Sequence, residues 1–188
     1  MKKRILAALL AACLTLLALV GCSTSSSSGS TAASDKDYAQ ILHDVRTDDE
    51  NLYDMIFYVG DDGKFTARDG YSADYEADQL NDEIVNMLLP LLNLEDDMYT
   101  DLAASVSAMM VRSYSVAIVK PAEGQTDAVK QALEAYVASQ QQSMQHYLED
   151  QYQIAKSGKV EVMPSGEVVL VMCEGSDIVM NSIRDALA

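Results

Sequence analysis

The alternation of apolar and polar residues in the C-terminal half of the chain predicts two β-hairpins. Residues 103–109 and 113–120 have the pattern of two paired strands, because apolar side chains alternate with small or polar ones in the second segment. A second hairpin is predicted over residues 160–173, with its turn at Pro164-Ser165-Gly166. Residues 168–172 are continuously apolar, which is typical of a central strand buried on both faces.

Each predicted hairpin is followed by an apolar pattern with helical spacing. A long helix is predicted from an N-cap at Thr126 to about Lys156, and a final helix follows an N-cap at Asp177. The order of elements is therefore ββα followed by ββα. We expect an α+β fold in which a four-stranded antiparallel sheet is covered on one face by the long helix and the short final helix.

The first half of the folded chain contains weaker patterns. Residues 38–45 predict a short helix, and residues 80–92 carry a strong apolar stripe that Pro90 should kink or divide. Residues 52–68 fit two structures, a hairpin that turns at Gly60–Gly63 or a helix with one apolar face. This part of the chain is therefore expected to be mainly helical, with the choice at residues 52–68 left open.

The start of the chain has the pattern of a secretory signal peptide. Residues 2–4 are basic, and residues 5–20 form an apolar run without a charge that is too short to span a membrane comfortably. The run ends in L-V-G-C at residues 19–22, which resembles the lipobox of bacterial lipoproteins, in which the cysteine receives diacylglycerol before cleavage. We therefore predict a signal peptide at residues 1–21 and lipidation at Cys22.

The lipobox defines the expected organisation of the remaining chain. Residues 22–37 are rich in serine and predict a flexible tether. Residues 38–94 are expected to form a variable, mainly helical region, attached as an appendage to a C-terminal α+β module at residues 95–188. Because two acyl chains anchor a protein stably, we expect it to sit on the membrane without spanning it.

The charge of the chain excludes one class of partner. The formal net charge is −16, and removal of the three basic residues at positions 2–4 takes it to −19. Such an excess of acid repels phosphate backbones, so we expect no nucleic-acid partner. Cys13 leaves with the signal peptide and Cys22 is acylated, so that Cys173 remains, in an apolar pattern typical of a small buried hydrophobe.

Sequence motifs for catalysis are absent. The chain contains no G-x-S-x-G, no H-E-x-x-H and no G-x-x-x-x-G-K-[ST]. His146, Glu149 and Asp150 have helical spacing that would allow one metal ion, but further ligands of the kind that zinc requires are missing. We therefore predict no catalytic residues, no metal ligands and no cofactor.

Two features of residues 60–78 leave binding functions open. The segment is acidic and punctuated by glycine, so it is either an exposed loop or a calcium site, although it lacks the order of ligands in an EF-hand. Tyr71 and Tyr75 have the most exposed surroundings of the tyrosines, and tyrosine can replace the missing tryptophan where a ring stacks on a ligand.

Three segments carry a resemblance to a known family. R-S-Y-S-V-A-I-V-K at residues 112–120, Y-L-E-D-Q-Y-Q-I at 147–154 and K-V-E-V-M-P-S-G-E-V-V-L-V-M at 159–172 resemble the lipoprotein family called domain of unknown function 4358. The resemblance covers about residues 95–188. The chain departs from the family pattern at Glu149, where the family has proline. The family has no established activity, so the resemblance implies a fold and a location but no active site.

These observations lead to two expectations for function. The first is a lipid-anchored lipoprotein on the extracytoplasmic face of a Gram-positive membrane, which binds or positions another envelope protein or a wall polymer without catalysis. The alternative is an accessory or weak enzyme in the modification of cell-wall polysaccharide, an idea that rests on the family's association with envelope acyl transfer.

Overall fold

The computed structural model describes residues 36–109 and 111–188. The predicted signal peptide, Cys22 and all but the end of the tether lie outside these residues. The helices are α1 (Tyr38–Val45), α2 (Asp48–Tyr53), α3 (Ala77–Glu83), α4 (Thr126–Met144), α5 (Glu149–Lys156) and α6 (Ser176–Leu187). The strands are β1 (Ile56–Val59), β2 (Phe65–Arg68), β3 (Tyr99–Val106), β4 (Ser115–Pro121), β5 (Lys159–Val162) and β6 (Val168–Met172).

The strands form one antiparallel sheet in the order β2-β1-β3-β4-β6-β5. The α+β class and the antiparallel sheet are confirmed, and both predicted hairpins are present as β3–β4 and β5–β6. The prediction of four strands was wrong, because the sheet has six. The additional pair, β1 and β2, is the hairpin alternative for residues 52–68. Its strands have four residues each, too few for a period of two to be distinguished from a helical spacing.

Helices cover both faces of the sheet. One face packs against α1 and α6, and the other against α3, α4 and α5. The expectation that the long and the final helix share one face was therefore wrong. The cause lies in β6, whose residues are all buried and alternate between the two faces, with Leu170 on one side and Val169 and Val171 on the other. A sheet with two apolar faces requires a layer of helices on each.

The long helix predicted from Thr126 is divided into α4 and α5. Its N-cap is Gln125, and the chain leaves the helix after Met144 and passes through an extended residue, Leu148, before α5 begins. The side-chain amide of Gln141 donates to the backbone oxygen of Ala155 at 3.1 Å, which ties the two helices together. Folding back packs α5 against α4 and buries Ala155 in the core on that face of the sheet.

The region from residue 38 to residue 94 is part of the same core rather than an appendage. Leu42 of α1 and Ile84, just after α3, are both fully buried against the sheet, on opposite faces. The interruption predicted at Pro90 is confirmed, since α3 passes through a π-helical turn at Ile84–Leu88 into a 3₁₀ turn at Leu89–Leu92. The predicted cap at Asp177 was wrong, because α6 begins after Gly175, which has a left-handed backbone.

Candidate binding cleft

An open cleft of about 550 Å³ lies where β1 and β3 separate. These strands pair at Phe57 with Ala104 and at Tyr58 with Ala103, and within the described residues the pairing does not continue towards Val106. One wall comes from α2 and the residues after it, and the other from the end of β3 and the loop that follows. The floor is apolar and includes Phe57, Leu88 and Val106.

Helix α2 is short but strongly capped, which fixes the first wall. The Thr47 hydroxyl accepts from the backbone N–H of Glu50 at 3.2 Å, and the Glu50 carboxylate accepts from the backbone N–H of Thr47 at 2.7 Å. This reciprocal capping box satisfies donors at the helix start, where acidic side chains are also favoured by the helix dipole. As a result, Asp49 and Tyr53 are presented at the rim of the cleft.

A buried arginine holds the other end of α2. Arg46 is 7% exposed, and its Nη2 donates to the backbone oxygens of Glu50 and Asp54, both at 2.6 Å. A cation at the C-terminus of a helix interacts favourably with the helix dipole and with the carbonyls left free there. Nε and Nη1 of Arg46 have no hydrogen-bond partner within the described residues. The guanidinium therefore depends on the α2 carbonyls for its place behind the cleft.

An ion pair joins the two walls. Arg112 Nη1 donates to both carboxylate oxygens of Asp54, at 2.6 and 2.8 Å, and both side chains are largely buried. The Arg112 guanidinium also lies over the Tyr114 ring, 4.5 Å from its centre. The pair is therefore held by a hydrogen-bonded carboxylate on one side and an aromatic face on the other. Its position brings the loop after β3 next to the end of α2.

A tight turn after β2 delivers two tyrosines to the cleft. Asp69 and Gly70 both have positive φ, at 62° and 50°. The backbone N–H of Gly70 donates to the Asn51 oxygen at 2.9 Å, and Asp69 is 2.8 Å from Nδ1 of His43. Because the turn is pressed against α2, the following residues place Tyr71 at the cleft beside the α2 wall.

The rings of the cleft are available to a ligand. Tyr53 and Tyr71 are each 57% exposed, and Tyr75 is partly buried against the core. Within the described residues, none of the three makes a ring–ring or cation–π contact. Exposed aromatic surface in a concave site is typical of ligand binding, since it offers a large contact area with little conformational freedom to lose.

Groups with nucleophilic potential near this end of the sheet are held neutral. Burial raises the pKa of the Cys173 thiol to about 12, with the Glu50 and Glu174 carboxylates adding to the shift. Burial also raises the pKa of the Tyr114 hydroxyl well above its ordinary value, although the charge of Arg46 acts in the opposite direction. Neither a thiolate nor a phenolate is therefore present at neutral pH in these two positions.

The other candidate metal-binding residues that the sequence suggested lie outside the cleft. His146, Glu149 and Asp150 lie at the surface around the start of α5, where Gln153 donates to Glu149 at 2.6 Å. Within residues 60–78, Asp78 is 3.0 Å from Lys64. No group of three or more His, Cys, Asp or Glu side chains in the described part of the chain is arranged to hold a metal ion.

Sequence reasoning found part of the cleft. Tyr71 and Tyr75 were singled out as exposed and do line it, whereas Tyr53 and Arg112 were missed. Arg112 begins one of the segments that carry the family resemblance, so a signal was present in that motif. Tyr53 follows Glu50 of the capping box by three residues. Tyr53 and Tyr71 line the same cleft because of the turn at Gly70, and the local sequence pattern around Tyr53 does not indicate this.

Comparison with known proteins identifies the family. Residues 71–173 match the family described as Domain of unknown function (DUF4358), and the chain belongs to it. The match begins earlier than the expected residue 95 and includes Tyr71, Tyr75 and Arg112 of the cleft. Neither the curated proteins nor the solved structures contain a match to the chain. None of the helices in the described residues is long and apolar enough to cross a membrane.

Proposed function

We propose that the protein is a lipid-anchored lipoprotein of the cell envelope whose folded domain binds a ligand in the cleft without catalysis. The observation that carries this proposal is the meeting of three tyrosines, from two separate segments, over an apolar floor. A stably folded domain that leaves rings this exposed within a concave site favours recognition as its function.

Binding is favoured over catalysis because the charged groups of the cleft are already engaged. The Glu50 carboxylate caps α2, and both oxygens of the Asp54 carboxylate accept from Arg112. A general acid or base must be free to exchange a proton with a substrate at neutral pH. Asp49 is exposed at the rim, but a single carboxylate without an adjacent base or nucleophile does not form a catalytic set.

Anchoring is proposed to occur through Cys22 and the serine-rich tether. The serine-rich composition of residues 22–37 is typical of a tether, and a coil of about a dozen residues reaches on the order of 20 Å, enough to separate a domain from the lipid headgroups. A radioactive fatty acid supplied to growing cells should label the protein, and Cys22→Ala should remove the label and release the protein from the membrane fraction. Labelling that survives the substitution would contradict the anchor.

Binding can be tested in cells with a photo-crosslinking amino acid. Placed at position 71, the crosslinker lies in the cleft, whereas at position 178 it replaces an isoleucine of α6 that is 74% exposed and outside the cleft. We expect one reproducible adduct from position 71 and none of the same mass from position 178. Identical adducts from both positions, or turnover of a wall glycan that Asp49→Asn abolishes, would overturn the proposal.

A further inference from the structure

The backbone of β3 has an open edge inside the cleft. The N–H of Ser107 donates to the Tyr114 oxygen at 3.0 Å, so Ser107 directs its backbone groups towards β4. Because backbone groups in an antiparallel strand point alternately to the two neighbours, the N–H and C=O of Val106 point the other way, towards the cleft. No backbone pairing of Val106 with the β1 side is present within the described residues. The cleft therefore contains a short stretch of strand without a neighbour.

The electrostatics of the cleft select against an anionic occupant. Among the described residues that line it, Asp49, Glu50 and Asp54 carry negative charge and Arg112 carries positive charge. The positive charge of Arg112 is balanced by Asp54, to which its Nη1 donates, and the whole chain has a formal charge of −16. An occupant with basic groups gains attraction at the rim, and it is also steered towards the protein from a distance.

The tyrosines and the apolar floor indicate which side chains an occupant of the cleft would carry. The faces of Tyr53 and Tyr71 suit an ammonium or guanidinium group, which is attracted to the negative face of an aromatic ring. The aliphatic part of the floor, at Leu88 and Val106, suits an apolar side chain rather than the hydroxyl groups of a sugar. A chain that presents apolar and basic side chains alternately meets both requirements when it is extended.

We propose that the occupant of the cleft is an extended segment of a partner protein, basic and apolar in alternation, which pairs with the backbone of β3 at Val106. This inference rests on the proposed function and adds the chemistry of the ligand. Addition of a strand to an open edge supplies hydrogen bonds that do not depend on sequence, while the side-chain positions supply specificity. The segment is identified by its chemistry, as a cationic β-strand.

The test uses the full chain, purified in detergent, and a fluorescent eight-residue peptide of alternating leucine and lysine. Fluorescence anisotropy at physiological salt should show saturable binding, and a leucine–glutamate peptide should not bind. The same basic peptide with N-methyl groups on alternate residues, which blocks the hydrogen bonds of one edge, should bind about tenfold more weakly. This comparison requires no protein variant and so cannot be confused with misfolding.

Matched variants locate the binding. Tyr71→Ala should weaken binding of the basic peptide about fivefold and Asp49→Asn about threefold, whereas Tyr147→Ala and Glu123→Gln, outside the cleft, should have no effect. Equal binding of the N-methylated peptide, or equal effects of the cleft variants and their controls, would overturn the inference. Binding of a neutral N-acetylglucosamine hexamer, lost in Tyr71→Ala, with none of the basic peptide would also overturn it but would leave a binding cleft. In the crosslinking experiment in cells, the absence of an adduct specific to position 71 would instead refute the proposed function.

Discussion

Replacement of Gly70 by alanine tests how the cleft is assembled. Gly70 has a φ of 50°, and a Cβ at this position would lie 2.7 Å from the backbone N of Met55 and 2.8 Å from the backbone C of Asp54. Both neighbours are main-chain atoms, so no side-chain rotation can relieve the contact. Either the turn moves away from the end of α2 or the strain is retained.

The loss of stability expected for Gly70→Ala has two separate causes. A residue other than glycine in the left-handed region loses about 1–2 kcal/mol, and forcing extra volume into a packed site costs a further 1–3 kcal/mol or so. Gly63 provides the control, because its φ is 78° and nothing lies within 4 Å of the position of its Cβ. We therefore expect Gly63→Ala to lose about 1–2 kcal/mol and Gly70→Ala about 2–5 kcal/mol.

Thermal unfolding followed by circular dichroism measures the difference. For a domain of this size, 1 kcal/mol corresponds to a shift in Tm of roughly 2–4 °C, so Gly63→Ala should lower Tm by about 2–8 °C and Gly70→Ala by about 4–20 °C. Gly70→Ala should also weaken binding of the basic peptide. If the turn moves to relieve the contact, it carries Tyr71 away from Tyr53. Equal shifts in Tm for the two variants, with unchanged peptide binding, would refute the account of the turn.

Two further predictions concern the two ends of the core. Leu170→Asp should unfold the domain, since it places a charge in a fully buried strand, whereas Val162→Asp on the partly exposed edge strand should cost only about 1 kcal/mol. Chemical denaturation measures both, and equal losses of stability would contradict the assignment of the buried strand. Burial acts to raise the pKa of Glu167, but hydrogen bonds, including one from Tyr38 at 3.0 Å, outweigh it and hold the pKa below its ordinary value. Stability from this carboxylate is therefore present at neutral pH and lost as the pH falls through its lowered folded pKa. Tyr38→Phe should cost about 1 kcal/mol at pH 7 and less at pH 3, and a loss that does not change with pH would contradict this role.

The class of the fold and the composition of its centre were determined by local sequence. The apolar run at residues 168–172 needs burial on both faces, and the turn residues at 164–166 leave the chain one way to pair with itself. These properties reside in adjacent residues, so a single sequence reveals them. The exposed character of Tyr71 was also predictable, because acidic and small residues surround it, whereas the same surroundings did not reveal that Tyr75 packs partly against the core.

Tertiary structure alone decided which faces the helices cover and where the cleft forms. The strands β1 and β2 become strands by pairing beside β3, because four-residue segments have too little pattern of their own to exclude a helix. The cleft depends on contacts between residues far apart in the chain, such as the pairing of Asp54 with Arg112 and the approach of Gly70 to Met55. Such contacts leave no periodic signal, since each arises from the packing of whole elements rather than from the spacing of neighbouring residues.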